Sequence, residues 1–595
     1  MSLDKLTGAL FHASIIAGCH RVIRHKQFLN EINVFPVADG DTGDNLSSTC
    51  TAIIEFSSAE IELKKTLETI ADASIIGARG NSGIIFSQFF NLFLKHLPSK
   101  AALYFNDFSQ ILTQVSNEIS TFLTHLIQGT MITLIQKWAS LCELNQFNAS
   151  FAKTMLELLP LLYLEVGKTK QSLKILKEAN VVDAGALGFY YFIEGFTHFL
   201  QNLQNTDTVI IPSPLLTLKH PPQLCASNIY RYCTEAVLKS SSIDKDKLLF
   251  FLNEHGNCAS VTGNERINRF HVHTNHPHEV FSGLYKDYII QYPKVDDMLR
   301  QYQLLFKKKY SIGLVTDSSA NLPQNLMDEY QIYQIPLNVH LGEHHFLDRY
   351  SFKLNDFYEM LNSFSHYPKT SCLAPKLIEE KFAQLSELYE HVIVLSVAKS
   401  MSGTFDVFQS AARHYDNITV IDTKSNSGGH GLILKYAGEL ISLKMKPQAV
   451  IERIKIAIEN TIIYVVIKQF SSMIRSGRVS KIAGQVASWS KIKPIISLDN
   501  EGVGYMASKS FSFDSALKKM IKLVIKRLDT EAFTLADYCI VHAGEEINAC
   551  QLAEHASDLF NKNPSFIEPV SLAIGLHVGK GCIALAARME KRNEQ

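Results

Sequence analysis

The chain has 595 residues with 58 basic and 58 acidic side chains, and this zero net charge gives no reason to expect a nucleic-acid backbone or an anionic membrane surface as its partner. Hydrophobic residues make up 46 %, too many for a disordered chain; at roughly 100–200 residues per domain, three to five domains are expected. The ten cysteines form no CxxC pair, the start Met1-Ser2-Leu3-Asp4-Lys5 lacks an apolar core, and apolar runs such as 158–164 are too short to span a bilayer, so a reducing cytoplasm is expected.

Residues 3–30 carry Leu6, Leu10, Ala13 and Ile16 at helical spacing. The stretch Asn33-Val34-Phe35-Pro36-Val37-Ala38-Asp39-Gly40-Asp41-Thr42-Gly43-Asp44-Asn45 follows. Carboxylates and amide oxygens are hard ligands that suit magnesium, and the glycines let the backbone turn close to a ligand. Asp39 and Asp41 lie two apart and can reach one metal cluster. No Glu closes a twelve-residue calcium loop, which leaves a phosphate–metal loop or a plain acidic turn. Read as a motif, the stretch resembles the metal loop of bacterial fatty acid kinases, relatives of the dihydroxyacetone kinase L-type ATP-binding domain. The resemblance implies ATP and magnesium, with Asp39 and Asp41 as ligands and Thr42, Gly43 and Asn45 on the nucleotide side. In dihydroxyacetone kinases a third aspartate stands where this chain has Val34, and Asn33 is the nearest oxygen donor that could replace it.

A helical run at 49–74 leads into Gly77-Ala78-Arg79-Gly80-Asn81-Ser82-Gly83, just ahead of the helical row Ile85, Phe89, Phe93, Leu97. Such a loop is either a turn between helices or a set of backbone N–H groups aimed at phosphate. It is similar to the second nucleotide loop of the fatty acid kinases, which assigns Gly80, Asn81, Ser82 and Gly83 to ATP. Gly129-Thr130-Met131 resembles that family's Glu-Gly-Thr-Met element, with Gln128 in place of the acid. Asp183 and Gly185 in Val181-Val182-Asp183-Ala184-Gly185 resemble its last nucleotide-side turn. Periodicity makes residues 1–204 mostly helical; the resemblance implies an antiparallel barrel of about eight amphipathic helices.

Pro212, Pro214, Pro221 and Pro222 mark a linker. Beyond it stand Tyr230-Arg231-Tyr232-Cys233-Thr234-Glu235 and Phe270-His271-Val272-His273-Thr274. His271 and His273 alternate on an expected strand, so both rings share one face. A thiolate and two imidazoles suit zinc, although a His-Val-His pair is also an ordinary polar surface pattern. The order resembles the middle domain of fatty acid kinases, which implies an α+β domain at 205–305 and a zinc ion on Cys233, His271 and His273.

Lys307-Lys308-Lys309 marks the next junction. Strand-like runs at 312–315, 392–395, 418–421, 462–467 and 538–541 alternate with helical stretches, an α/β pattern with ligands expected near strand ends. Beside such runs lie Lys369-Thr370-Ser371, Met401-Ser402-Gly403-Thr404, Arg475-Ser476-Gly477-Arg478-Val479-Ser480 and Ile574-Gly575-Leu576-His577-Val578-Gly579. In this order they resemble the anchors of the DegV family of fatty-acid-binding proteins, which implies a two-lobed α/β domain over 309–592. Gly579-Lys580-Gly581 departs from that family's Gly-Pro-Gly. Thr370, Ser371, Ser402, Gly403, Thr404, Arg478 and His577 would bind a fatty acid, with Arg478 and His577 also serving the reaction. Arg478 offers a permanent planar charge for a carboxylate and His577 an adjustable donor, while an apolar pocket would bury the tail.

The resemblances imply a fusion of a fatty acid kinase catalytic subunit with its acyl carrier. The implied reaction is ATP plus a fatty acid giving an acyl phosphate, which an acyltransferase would use to feed exogenous fatty acids into phospholipid synthesis. A homodimer and a transient membrane contact for lipid exchange fit that role. Two rivals remain. One is a fatty-acid carrier or regulator with a degenerate kinase domain, which the missing aspartate and Gln128 favour. The other is a dihydroxyacetone-type polyol kinase.

Overall fold

The computed structural model describes residues 5–35, 40–119, 129–147, 150–202, 230–361, 367–468, 471–476, 492–530 and 533–592. Asp39, Gln128, the proline-rich linker and Arg478 lie outside them. The chain divides into two compact units, Met1–Phe306 and Lys307–Gln595.

The first unit opens with β1 (Lys5–Thr7), α1 (Gly8–Arg24) and α2 (Lys26–Glu31). Next come α3 (Thr42–Phe56), α4 (Leu63–Gly77), α5 (Gly80–Lys95), β2 (Ala102–Tyr104) and α6 (Phe105–Glu118). The helices α7 (Met131–Leu144), α8 (Phe151–Ser172), α9 (Lys174–Ala179) and α10 (Ala184–Asn202) complete the helical part. The single helix expected over 49–74 is two, α3 and α4. Side chains take over the backbone bonds between them: Thr66 Oγ1 accepts from Glu60 N at 2.9 Å, and Thr69 Oγ1 accepts from Ser58 N at 3.1 Å. Such local side-chain bonds compete with helix continuation. The 3–30 stretch likewise starts as a strand, with Leu6 paired to Leu103. The core is aromatic: Phe86, Phe89, Trp138, Phe189 and Phe192 meet largely edge to face, the arrangement ring quadrupoles favour.

The same unit continues with β3 (Tyr232–Lys239), α11 (Lys245–His255), β4 (Asn257–Gly263), β5 (Ile267–Thr274), α12 (Pro277–Leu284), β6 (Ile289–Asp297) and α13 (Met298–Phe306). The strands form an antiparallel sheet in the order β4-β5-β3-β6. One face of this sheet is polar and packs on α4 and α5. Thr262 Oγ1 donates to Gln88 Oε1 at 2.9 Å, and Arg269 Nη1 donates to the Ile76 carbonyl at 3.2 Å. The sheet is therefore part of the helical unit's packing.

In the second unit, the parallel strands β7 (Ile312–Asp317), β8 (Tyr333–Ile335), β12 (His391–Ser396) and β13 (Ile418–Asp422) form a sheet in the order β13-β12-β7-β8. A small antiparallel sheet joins β9 (Asn338–Leu341), β10 (His344–Leu347) and β11 (Lys369–Ser371). The third sheet contains β14 (Thr461–Val466), β15 (Lys493–Leu498), β16 (Gly504–Ser510), β17 (Phe533–Ala543), β18 (Ile567–Pro569) and β19 (Cys582–Lys591), in the order β16-β15-β14-β19-β17-β18. It is antiparallel except for the β17–β18 pair. Ile583, Leu585 and Ala587 alternate along β19 into a core completed by Met520, Val524 and Leu552 from the helices Phe513–Thr530 and Glu546–Phe560. The α/β pattern expected here is present, with parallel and antiparallel sheets side by side. Among the described residues, no helix is long and apolar enough to cross a membrane.

Candidate phosphate, metal and carboxylate sites

The motif segments of the first unit stand at helix starts. Thr42, Gly43 and Asn45 are in the first turn of α3, Gly80 to Gly83 open α5, Met131 opens α7, and Asp183 directly precedes α10. The glycine segment expected as a loop is the first turn of α5. An N-terminal turn leaves backbone N–H groups without helical partners and carries the positive end of the helix dipole. Asp41, Arg79 and Thr130 hold the N-cap positions without a side-chain cap bond.

These turns come together. Asn33, Phe35, Asp41, Thr42, Asn45, Gly80, Asn81 and Ser82 line one cavity with Cys233, His271 and His273. Gly80 has φ +57°, and a Cβ there would collide with the Asn45 amide; the left-handed backbone and the close approach both require glycine. A Cβ on Gly185 would stand 3.6 Å from Ser82 Oγ and 3.7 Å from Met131 Cε, so the α5, α7 and α10 starts are neighbours. Gly129, at φ +86°, donates its N–H to Thr133 Oγ1 at 2.8 Å.

Burial raises the Asp41 carboxyl, Lys294 opposes the rise, and Asp296 adds to it. Asp44 faces elsewhere, held by Lys26 at 2.5 Å and Asn30 at 3.0 Å. Asn33 Oδ1 accepts the Thr42 N–H at 3.0 Å and also the Thr42 hydroxyl. The structure thus gives the tentative magnesium ligand a different task, clamping the start of α3. Val34, where the third aspartate would stand, is core. Asp183 Oδ1 accepts from Ala186 N at 2.7 Å, and burial pushes its carboxyl up to about 7 against that bond and one from Gly185.

On the sheet, register supplies the grouping. Cys233 is paired with His273 and Glu235 with His271. Across the other edge of β3, Asp296 is opposite Cys233 and Lys294 opposite Glu235. The donor atoms of Cys233, His271 and His273 lie within 4.8 Å of one another, all buried. Burial, then the neighbouring His271, pushes His273 down to about 3, so its ring is a neutral base. His271 Nε2 is buried without a hydrogen-bond partner. Its Nδ1 lies 2.8 Å from Glu235 Oε1, and an ionised carboxylate can only accept, so Nδ1 carries the proton and Nε2 the lone pair. A buried thiol and two neutral imidazoles with a ring fixed by a carboxylate are the donor set zinc takes, with bonds of about 2.0–2.3 Å. The residues present fit that ion. His276, His278 and Glu279 also bring donor atoms within 4.8 Å, but at the largely exposed N-terminus of α12, where the helix dipole opposes a cation.

Glu235, Arg269, Lys294 and Asp296 are the residues that sequence reasoning passed over. Burial raises the Glu235 carboxyl, yet Lys294, the His271 hydrogen bond and Arg269 hold it well below the usual carboxylate range. Lys294 bonds Asp296 at 2.5 Å. A Lys-x-Asp alternation on a strand was the available signal, and it is too common to single out alone.

In the second unit, Thr370 Oγ1 lies 3.1 Å from His577 Nε2. Ser371, the next residue on β11, bonds His340 at 2.9 Å; strand alternation sends it to the other face. Ser402 Oγ is 2.8 Å from Thr404 Oγ1 and accepts from Thr404 N at 3.3 Å, with Gly403 at the N-cap of the helix Thr404–Ala412. Thr404 also hydrogen-bonds Cys372, which ties this turn to the end of β11. Ser402 follows the C-terminal end of parallel strand β12, the usual ligand edge of such sheets. The two surface acids that could have paired with Arg478 have other partners: Glu501 meets Lys424 at 3.3 Å, and Asp499 accepts from Glu501 N and Val503 N.

Three family models match in succession: the DAK2 domain over 36–198, the FakA-like middle domain of fatty acid kinase over 229–305, and the DegV family over 311–590. The chain is a DAK2, kinase-middle and DegV fusion. A DegV domain-containing protein of Clostridium acetobutylicum is 28 % identical over 280 residues, covering 46 % of this chain and 97 % of that protein. An uncharacterized protein of Staphylococcus saprophyticus is 27 % identical over 330 residues, covering 52 % of this chain. The chain spans 58 % of that relative's length. A solved structure of DegV from Bacillus subtilis, described as a fatty acid binding protein, is 24 % identical with a TM-score of 0.43, over 47 % of this chain and 100 % of that one. The Streptococcus pneumoniae fatty acid kinase B3 protein loaded with linoleic acid is 19 % identical with a TM-score of 0.41, over 47 % of this chain and 100 % of that one. The DAK2 and middle-domain matches fall in the first compact unit and the DegV match in the second.

Proposed function

We propose that this chain is a fatty acid kinase that transfers the γ-phosphoryl group of ATP to a fatty acid carboxylate. In this reading residues 1–204 are an antiparallel helical barrel for ATP and magnesium, 205–305 hold zinc, and 309–592 hold the acyl chain. The observation that carries it is the convergence of helix N-termini and Asp41 on the cavity that also receives Cys233, His271 and His273. Helix N-termini favour phosphate through free N–H groups and dipole alike. Asp41, with Asp39, would hold magnesium, which when bound would draw off the negative charge that develops on the phosphate oxygens.

The N–H groups at Asn81 and Ser82, with those near Thr130 and Gly185, would orient the polyphosphate. Thr370, Ser402, Arg478 and His577 would hold the fatty acid carboxylate, whose loss of hydration requires pairing and hydrogen bonds. A carboxylate oxygen forms the new bond to the γ-phosphorus, the bond to the β-bridging oxygen breaks, and ADP leaves. The acyl phosphate then suits an acyltransferase.

The test is ADP release by the full chain with and without oleate, beside mass spectrometry of lipid extracted from the purified protein. Oleate-dependent ADP release is expected. Copurifying fatty acid without any ADP release would favour the carrier with a degenerate kinase domain, the reading that Val34 and the engaged Asn33 oxygen support.

A further inference from the structure

One buried carboxylate joins the glycine segment to the Cys-His-His face. Glu235 is fully buried on β3. Its Oε1 accepts the N–H of Gly80, the first residue of α5, and the Nδ1–H of His271 at 2.8 Å. Its Oε2 accepts from Arg269 Nη2 at 3.1 Å, and the same guanidinium donates to the Ile76 carbonyl at the end of α4. The turn from Ile76 to Gly80 is therefore gripped at both ends by one ion pair from the sheet. A shift of the His271 ring moves the oxygen that holds Gly80, and a shift of the α5 start moves the oxygen that fixes the ring. Among the described residues no other route between these two groups is as short, because the shared acceptor is a single atom.

We propose that Glu235 is a positioning residue that couples zinc on Cys233, His271 and His273 to nucleotide at the start of α5. The inference rests on the proposed kinase reading for the identity of the two ligands. Outer-sphere carboxylates on metal-bound histidines typically contribute 10–100-fold to metal affinity. Coupling between two ligands is reciprocal and commonly amounts to 5–150-fold.

The experiment measures binding rather than turnover. A fluorescent ATP analogue is titrated into zinc-loaded and zinc-stripped full-length chain, and zinc affinity is read separately by chelator competition. Wild type should bind the analogue roughly 5-fold or more tightly when loaded. Glu235→Ala should reduce that ratio below about twofold and weaken zinc by roughly 10-fold or more. Glu235→Gln keeps an oxygen for Gly80 and His271, so it should restore part of the coupling; it also serves where the alanine variant fails to fold. A wild-type ratio near one, or a folded Glu235→Ala chain with the wild-type ratio, overturns the proposal. So does a Glu235→Gln chain that melts and binds zinc as wild type does and keeps no coupling. Wild type that shows the coupling but no oleate-dependent ADP release would sink the kinase reading and leave this one standing.

Discussion

Asp41 is the single side chain on which the proposed chemistry turns. It is the N-cap of α3, held by the Asn45 side chain and facing Lys294 and Asp296. Asp41→Ala should abolish oleate-dependent ADP release while leaving extractable fatty acid unchanged, since the acyl residues belong to the other unit. Turnover within about twofold of wild type would remove Asp41 from the site, because lost stabilisation of transferring phosphoryl charge typically costs far more. The zinc ligands give a second test at this scale. About one zinc per chain is expected by elemental analysis of untagged protein, and Cys233→Ser with His271→Ala should lose it. Retained zinc in that double variant, lost instead with His276→Ala and His278→Ala, would move the site to α12. Asp183 gives a third. Its folded pKa of about 7 exceeds the ordinary value of 3.8, so the folded nucleotide-free chain holds a proton the unfolded chain has released. Stability therefore falls as pH rises between those values, by at most about 1.4 kcal/mol per pH unit from this group. Asp183→Asn should gain on wild type from pH 5 to 7 and level off above 8, read as the difference in urea midpoints. A difference that does not vary with pH would show that Asp183 is charged in the fold.

At the scale of elements, the site depends on how closely helix starts approach one another. Gly80 is the tightest case, combining φ +57° with the Asn45 amide in the place of a Cβ. Gly80→Ala should cost about 1–2 kcal/mol from the left-handed backbone alone, with more from the displaced Asn45. The expected result is a lower melting temperature together with weakened binding of an ATP analogue. A variant with wild-type melting and wild-type nucleotide affinity would show that α5 does not start at the ligand. The sheet adds what no single strand could. His271 and His273 share a face because side chains alternate, but Cys233 joins them only because β3 pairs with β5 in this register. A one-residue slip would turn Cys233 and Glu235 to the opposite face and leave the imidazoles without thiol or carboxylate.

For the whole molecule, the consequence of fusion is kinetic. Joining the two units by one chain sets an effective concentration that does not change on dilution. Turnover per chain with oleate should stay constant across a hundredfold dilution, whereas an equimolar mixture of residues 1–306 and 307–595 should lose rate as it is diluted. Parallel loss in both would mean that transfer occurs between separate molecules and that the covalent link gives no kinetic advantage.

The sequence by itself determined the chemistry that is local. Asp41, Thr42 and Asn45 are neighbours in the chain, as are Gly80, Asn81 and Ser82, so their shared surroundings follow from a single turn of backbone. Alternation placed the two histidines on one face, and the apolar runs located strands such as β7, β12 and β17. Tertiary structure decided the rest. The split of 49–74 into α3 and α4 depended on threonine hydroxyls reaching back across a loop. The engagement of Asn33 by Thr42 spans nine residues, and the grip of Glu235 on Gly80 spans 155. Periodicity reports which face of an element is apolar; it carries no information about which polar residue of a distant element will meet that face. That information lies in strand register and helix approach, which the summed packing of the core sets, and so the carboxylate joining the two halves of the candidate site could be recognised only in the folded chain.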